Sequence, residues 1–126
     1  MRAVALDHVV LEVADVDRSL EFYVNVLGLA PERVAEFQAG AAGFPSVRAG
    51  SVLIDLFPRE RPAPGPNHLC VEVDVAADAM TAELDQHEVP HGEAQRRWGA
   101  RGEGWSVYVH DPDGHQVEVR TYRERG

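Results

Sequence analysis

The sequence predicts an α+β fold built from two successive modules, each with the element order βαβββ. Seven residues near the start, DHVVLEV (7–13), have a counterpart in NHLCVEV (67–73), with His, Glu and Val at the same three places and apolar residues between them, which indicates a duplicated module. Both copies alternate apolar and polar residues, as a β-strand does. In each half an amphipathic helical stretch follows this strand, and further strand-like segments follow the helix.

In the first module, residues 5–13 alternate as a strand. Residues 16–27 then carry apolar side chains at helical spacing, with Asp15 or Asp17 as the N-cap and Gly28 at the C-terminal end. Three short strand-like segments follow, separated by glycine-rich turns: roughly 31–37, 44–49 and 51–57. The first module therefore covers residues 1–57.

The proline-rich stretch PRERPAPGP (58–66) predicts an extended connector. The second module, 67–126, repeats the order: a strand, a helix over 76–89, and two alternating strands around DPDG (111–114), whose glycine suits a positive φ. Between the helix and these strands, QRRWGARGEG (95–104) is too rich in glycine to predict regular structure throughout. We expect one domain of 126 residues made of the two modules and the connector.

The amino-acid composition limits the kinds of molecule that the protein can bind. The chain has no Lys, all twelve of its basic residues are Arg, and its formal net charge is -9, so its surface should repel nucleic-acid phosphates. We expect no nucleic-acid partner.

No apolar run is long enough to cross a bilayer, and Asp7 precedes any signal-peptide core, so we expect a cytoplasmic protein with no membrane partner. The single cysteine, Cys70, cannot form an internal disulfide, which fits a reducing compartment.

Histidine and a carboxylate recur at matching places in the two modules. His8 and His68 lie in the first strand of each module, and Asp55 and Glu118 lie in the last strand between apolar neighbours. Alternation predicts that each acid faces the same side as its histidine. One such histidine alone is usually a packed or surface residue, but unsatisfied polar groups in apolar strands cost about 1 to 3 kcal/mol each. A divalent cation satisfies them together, and imidazole with carboxylate favours Mn²⁺, Fe²⁺, Ni²⁺, Co²⁺ or Zn²⁺ over Ca²⁺.

The paired module order, with HVVLEV, RSLEFYVNVLGL and YVHDPDGHQVEV, resembles the vicinal oxygen chelate superfamily over nearly the whole chain. That superfamily includes glyoxalase I, fosfomycin-resistance thiol transferases, bleomycin-resistance proteins, methylmalonyl-CoA epimerase and extradiol dioxygenases. The resemblance implies a curved mixed sheet that forms a cup, with the helices on its outer face. It also implies metal ligands at His8, His68 and Glu118, with Asp55 at a fourth position that is often Glu. Because Asp is one methylene shorter, direct binding, binding through water and orienting another ligand all stay open.

The resemblance implies a metal ion held against two adjacent oxygens of a small-molecule substrate, as in a glyoxalase-like lyase, isomerase or thiol transferase. The alternative is a bleomycin-resistance-like protein that binds or sequesters a small molecule. An Fe(II) extradiol-type dioxygenase is disfavoured because those enzymes commonly use four modules in a longer chain. Glyoxalase I and the fosfomycin enzymes pair modules across subunits, so we expect a homodimer with shared sites. Pairing within one chain, as in methylmalonyl-CoA epimerase, is the alternative.

Further residues are candidates for catalysis or substrate binding. The catalytic candidates are Glu118, Asp55 and Tyr108, of which Tyr108 either hydrogen-bonds a substrate or packs in the core. Cys70 follows His68 by two residues and faces the same side, although a buried structural cysteine is the commoner case. Residues 95–104 form a candidate lid whose side chains suit substrate binding: Arg96, Arg97, Trp98 and Arg101. The competing interpretation of that segment is a solvated basic loop.

Overall fold

A computed structural model describes residues 1–110, 112 and 114–124. The chain divides into two compact units. The N-terminal unit is His8–Asn67, and the C-terminal unit combines Met1–Asp7 with His68–Gly126. Each unit contains helix and both parallel and antiparallel strand pairs, so the predicted α+β class with two successive modules is confirmed.

The N-terminal unit contains strands in the order β2-β3-β4-β1. Their bounds are β1 Ala3–Val13, whose first residues belong to the C-terminal unit, β2 Ala30–Glu32, β3 Ser46–Ala49 and β4 Val52–Pro58. β1 and β4 are parallel, whereas β3 is antiparallel to both β2 and β4. The register sets Val10 opposite Asp55, and alternation then brings His8 to the face that carries Asp55. The predicted shared face is confirmed in this unit.

The helix predicted over 16–27 is present in two parts. α1 (Val16–Leu20) begins after Asp15, whose side chain accepts a hydrogen bond from a backbone N–H of the first turn and caps the helix. The chain then continues as a π-helical segment, Glu21–Val26. The wider π turn shifts the apolar stripe out of the predicted spacing, and Leu27 at its end is 55% exposed.

The strand predicted over 31–37 is wrong for most of its length. Only β2 is extended there; Arg33 follows with φ 59, and α2 (Val34–Gln38) is a short helix. The left-handed backbone of Arg33 ends the strand pairing. Val34 and Phe37 are apolar at i and i+3, a helical spacing, and the segment is too short for the helical and strand periods to be distinguished.

The C-terminal unit contains strands in the order β5-β8-β7-β6. Their bounds are β5 Pro66–Val73, β6 Gln95–Gly99, β7 Gly102–His110 and β8 Gln116–Thr121. β5 and β8 are parallel, with Cys70 opposite Glu118, and β7 is antiparallel to both β6 and β8, with Tyr108 opposite Glu118. His68 therefore shares a face with Glu118, as predicted.

The helix predicted over 76–89 is α3, Ala77–Gln86. Three apolar residues at helical spacing, Ala77, Met80 and Leu84, are buried. Met80 and Leu84 belong to the hydrophobic core of the unit, which also contains Val73, Val107, Val109 and Val119. α3 has ten residues, and in the described part of the chain no helix is long and apolar enough to span a membrane.

Residues 95–104 form most of a β-hairpin: β6 is the middle strand that the βαβββ order predicts, and the segment is more regular than its glycine content indicated. Gly99 and Gly104 lie within its strands, against Arg120. A Cβ on Gly99 would lie 2.5 Å from Cζ of Arg120, and one on Gly104 would lie 2.8 Å from the carbonyl oxygen of Thr121. The glycines here provide room for a buried side chain rather than mobility.

The turn predicted at DPDG lies partly outside the described residues, which leave out Asp111 and Asp113. Gly114 is described, and its φ of 86 is the positive value that the prediction assigned to it. β7 ends at His110 and β8 begins at Gln116, so the two predicted strands flank this turn.

The connector expected at 58–66 lies between β4 and β5, and residues 59–65 belong to no helix or strand. Glu12 of β1 accepts hydrogen bonds from Ala63 N at 3.0 Å and from Asn67 Nδ2 at 2.8 Å. These bonds, the one from Ala63 first, lower the pKa of Glu12. The carboxylate therefore holds the connector against the strand that begins the first module.

Candidate metal-binding site

His8 and Asp55 form a buried polar pair in the N-terminal unit. Each residue is 3% exposed, and Nε2 of His8 lies 3.9 Å from Oδ2 of Asp55. Ser46, opposite Asp55 on β3, donates its hydroxyl hydrogen to Oδ1 of Asp55 at 2.6 Å. One carboxylate oxygen is thus held by the serine, and the other faces the histidine.

His68 and Glu118 form the corresponding pair in the C-terminal unit. Both residues are buried, and Nε2 of His68 lies 3.2 Å from Oε1 of Glu118. Ser106 on β7 donates its hydroxyl hydrogen to Oε2 of Glu118 at 2.7 Å. Each unit therefore sets a histidine nitrogen against one carboxylate oxygen while a serine holds the other oxygen.

The donor atoms of the two pairs fit a divalent metal ion to different degrees. Two ligand atoms at about 2.1 Å from one ion are about 3.0 Å apart at a right angle and about 3.4 Å apart in a tetrahedron. The separation of 3.2 Å between His68 and Glu118 lies in this range, whereas the 3.9 Å between His8 and Asp55 exceeds it. The His68–Glu118 pair therefore has the spacing of two direct ligands. The His8–Asp55 pair has the spacing of one direct ligand beside a carboxylate that is held less closely.

Sequence analysis missed Arg120, which is completely buried beside Glu118. Its Nη1 lies 3.1 Å from Oε2 of Glu118, and its Nε lies 3.9 Å from Oδ2 of Asp7. Burial alone lowers the pKa of Arg120, but its neighbours, the carboxylates of Asp7 and Glu118 among them, outweigh burial and raise it. The available signal in the sequence was spacing, because Arg120 follows Glu118 by two residues and so shares its face.

Tyr108 lies next to both members of the His68–Glu118 pair. Its ring packs edge-on against the ring of His68, with 5.7 Å between centroids, and it is opposite Glu118 in the strand register. Burial, and then the charge of Glu118, raise the pKa of Tyr108 to about 12. The phenol is therefore protonated at neutral pH and suits hydrogen-bond donation rather than proton abstraction.

Cys70 is fully buried opposite Glu118. Burial, followed by the charges of Glu118 and Asp7, raises the pKa of its thiol. The thiol stays protonated at neutral pH, and a protonated buried thiol is a packing group rather than a nucleophile. Its burial leaves it no surface for direct contact with a substrate.

Strand alternation separates the candidate substrate-binding residues of β6. Arg97 pairs with Gly104 and lies on the face of Tyr108, whereas Arg96 and Trp98 lie on the opposite face. Arg97 and Tyr108 both line a cavity of about 150 Å³, together with Gly92, Glu93, Gln95 and Ser106. Ser106 both lines this cavity and holds Glu118, so one side chain separates the cavity from that carboxylate.

The other candidate residues of the hairpin make contacts within the C-terminal unit. Arg96 donates to Oε1 of Glu124 at 2.9 Å. Arg101 forms an ion pair with Glu72, and its guanidinium lies 4.5 Å from the ring centroid of Tyr122. These contacts give both arginines a role in holding the hairpin and the end of the chain.

Comparison with known proteins gives concordant results. Residues 5–119 match the family model described as the glyoxalase/bleomycin resistance protein/dioxygenase superfamily. A lactoylglutathione lyase of Neisseria meningitidis is 32% identical over 122 residues, which cover 88% of this chain and 86% of that protein. A virulence protein of Salmonella typhimurium is 29% identical over 120 residues, covering 93% of this chain and 83% of that protein. The crystal structure of an Mn(II)-bound glyoxalase from Novosphingobium aromaticivorans has a TM-score of 0.74 and 21% identity, over 99% of this chain and 41% of that one, which supports the fold.

Proposed function

Because the chain belongs to the glyoxalase/bleomycin resistance protein/dioxygenase superfamily, we propose that it is a divalent-metal-dependent, glyoxalase-like enzyme. Its substrate is a small molecule with two adjacent oxygens, and its reaction is that of a lyase, an isomerase or a thiol transferase. The observation that carries this proposal is the buried His68–Glu118 pair, with 3.2 Å between its donor atoms. The His8–Asp55 pair repeats the arrangement in the other unit.

The proposed metal ligands are His8, His68 and Glu118, with Asp55 as a weaker or water-mediated partner. Imidazole and carboxylate donors suit Mn²⁺, Fe²⁺, Ni²⁺, Co²⁺ or Zn²⁺. When bound, such an ion supplies Lewis-acid polarisation of the two substrate oxygens. The Mn(II)-bound glyoxalase from Novosphingobium aromaticivorans, whose fold is similar, supports the proposal of a bound metal ion.

The charge balance of the C-terminal unit supports a bound cation. Two buried carboxylates, Asp7 and Glu118, face one buried guanidinium, that of Arg120. An uncompensated buried charge is costly, so a second cation next to Glu118 is favourable. The proposed metal ion fills that role.

The protein's own residues would orient the substrate from the cavity beside Glu118. Tyr108, protonated at neutral pH, donates a hydrogen bond to a substrate oxygen. Arg97 lines the same cavity and offers a guanidinium to a negatively charged or polar group of the substrate. The cavity's volume, about 150 Å³, suits a small metabolite or one end of a larger molecule.

A second candidate function is that of a small-molecule binding protein that works without metal. The Arg120–Glu118 contact favours it, because Arg120 supplies a cation to the acid before any metal ion binds. Under this alternative the same cavity holds a ligand and no reaction follows.

Metal content separates the two candidates. Protein purified without chelators and supplemented with Mn²⁺, Ni²⁺ and Zn²⁺ in separate samples is desalted and analysed by elemental mass spectrometry. The proposed enzyme retains a stoichiometric divalent ion, whereas no retained ion after supplementation supports the binding protein.

We propose a homodimer with shared sites as the working assembly; pairing within one chain is the alternative. The π-helical segment exposes apolar side chains that provide a surface for association: Phe22, Val26 and Leu27. The reduced thiol of Cys70 suits the reducing conditions of the cytoplasm, which we propose as the compartment.

A further inference from the structure

Arg120 is unusually placed for an arginine. Its side chain has no exposed surface, although arginine is rarely fully buried unless it is paired. Besides Glu118 and Asp7, it reaches three backbone carbonyl oxygens of the β6–β7 hairpin, those of Arg97 at 2.8 Å, Gly102 at 3.3 Å and Trp98 at 3.4 Å. The guanidinium therefore has its orientation fixed by carboxylates and by backbone.

The hairpin is shaped to receive this guanidinium. A Cβ at Gly99 would lie 2.5 Å from Cζ of Arg120, and one at Gly104 would lie 2.8 Å from its Nη2. Both distances are well below van der Waals contact, so only glycine fits at these two positions with Arg120 where it is. A guanidinium enclosed in this way is a rigid donor.

The rigid donor acts on one oxygen of Glu118. Oε2 accepts hydrogen bonds from Arg120 Nη1 at 3.1 Å and from Ser106 Oγ at 2.7 Å. Oε1 is turned toward His68, 3.2 Å from its Nε2. Two donors on Oε2 oppose rotation of the carboxylate and keep this oxygen occupied.

We propose that Arg120 is a positioning residue that restricts Glu118 to one-oxygen binding of a metal ion and so disfavours Ca²⁺. The inference rests on the proposed function, since it concerns the same metal ion. Ca²⁺ takes six to eight oxygen ligands at about 2.3 to 2.6 Å and often binds both oxygens of a carboxylate. Transition-metal ions accept one carboxylate oxygen beside imidazole nitrogen. Holding Oε2 therefore lowers Ca²⁺ affinity more than Mn²⁺ affinity.

The test compares Mn²⁺ and Ca²⁺ affinities of chelator-treated protein by isothermal titration calorimetry. Arg120→Lys keeps a positive charge but loses the planar fork that reaches Glu118 and the carbonyls together. Ser106→Ala removes the other donor to Oε2 with little change of volume. Arg123→Lys is the matched control, because Arg123 is exposed and follows the end of β8. Circular dichroism melts without metal check that each variant is folded.

We expect Arg120→Lys to lower the preference for Mn²⁺ over Ca²⁺ by roughly 10-fold, in the range found for residues that orient metal ligands. Ser106→Ala should lower it in the same direction, and Arg123→Lys should leave it unchanged. A purely structural role would weaken both ions alike and leave the preference constant, which would overturn the inference. If Arg120→Lys does not fold, Ser106→Ala decides alone: a lowered preference supports the inference and an unchanged one overturns it. Wild-type protein that binds no Mn²⁺ contradicts the proposed function itself, and the inference with it.

Discussion

Glu12 and Glu72 occupy matching positions of the internal repeat, and each holds a loop of its own unit. Glu12 binds the connector through Ala63 and Asn67, and Glu72 binds Arg101 at the turn of the β6–β7 hairpin. Neither contact involves the histidines. The repeat thus preserves residues of two kinds: glutamates that hold loops, and histidines that each face a carboxylate.

The two carboxylates opposite the histidines should differ in their contribution to metal binding. Asp55 Oδ2 lies 3.9 Å from His8, farther than Glu118 Oε1 lies from His68. Glu118→Gln should therefore weaken Mn²⁺ binding more than Asp55→Asn does, as measured by calorimetric titration of metal-free protein. Loss of a ligand-orienting group typically costs about 10- to 100-fold in affinity, and loss of a direct ligand at least that much. The reverse order of the two variants would refute the weaker role of Asp55.

Gly104 should be intolerant of a side chain. An added Cβ would lie 2.8 Å from both the Thr121 carbonyl oxygen and Arg120 Nη2. Gly104→Ala should lower the free energy of unfolding by about 1 to 3 kcal/mol, as overpacking of a core does. Gly92→Ala is the control, because a Cβ there meets nothing within 4 Å; its effect should stay within about 0.5 kcal/mol. Equal urea denaturation midpoints and slopes for the two variants would show that the hairpin accommodates the added Cβ without loss of unfolding free energy.

Among the elements, sequence patterns located those strands and helices whose apolar residues recur at a clear strand or helix period in the sequence. β1, β5 and α3 are examples, and the shared face of each histidine and acid followed from strand alternation. The patterns failed at 31–37, because so short a segment has the same apolar spacing in a helix as in a strand. They failed again at 95–104, because the glycines there make room for Arg120, which lies on another strand. The serines that hold Asp55 and Glu118 were also missed, because a residue's partner on the neighbouring strand depends on the strand register, which the local sequence does not determine.

The segment after α3 should show a raised histidine pKa. His91 faces the carbonyl of Gly92 at 2.6 Å and Oδ1 of Asp85 at 2.9 Å, and these bonds raise its pKa above the ordinary value. A raised folded pKa favours protonated His91 in the folded state. Its stabilising effect is thus fully present below the unfolded pKa, about 6.5, and is lost as pH rises through the folded value.

The measurement is an NMR titration of the His91 ring protons in wild type and in Asp85→Asn. Wild type should titrate above pH 6.5, and the variant should titrate lower than wild type because an amide carries no charge. Identical midpoints in the two proteins would show that Asp85 does not act on His91.

In the proposed homodimer, a metal site is completed either by two chains or by one chain alone. If His8 comes from one chain and Glu118 from another, a mixed dimer of His8→Ala with Glu118→Ala has one doubly damaged site and one intact site. Random reassortment makes about half of the dimers mixed, so roughly a quarter of all sites should regain metal binding. The readout is the metal bound after the two variants are refolded together, with subunit exchange verified by mass tags. No recovery would mean that each chain completes its own site.

The proposed function depends on a metal ion that is bound through the histidines and acids of the repeat, with Glu118 as a direct ligand. Its most direct test is calorimetric titration of Mn²⁺ into metal-free wild type, Glu118→Ala and Glu103→Ala, where Glu103 is an exposed acid on β7. Glu118→Ala should weaken binding by at least about 10- to 100-fold, or roughly 1.4 to 2.8 kcal/mol, and Glu103→Ala should bind as wild type does. Full metal occupancy with wild-type affinity in folded Glu118→Ala would contradict the claim.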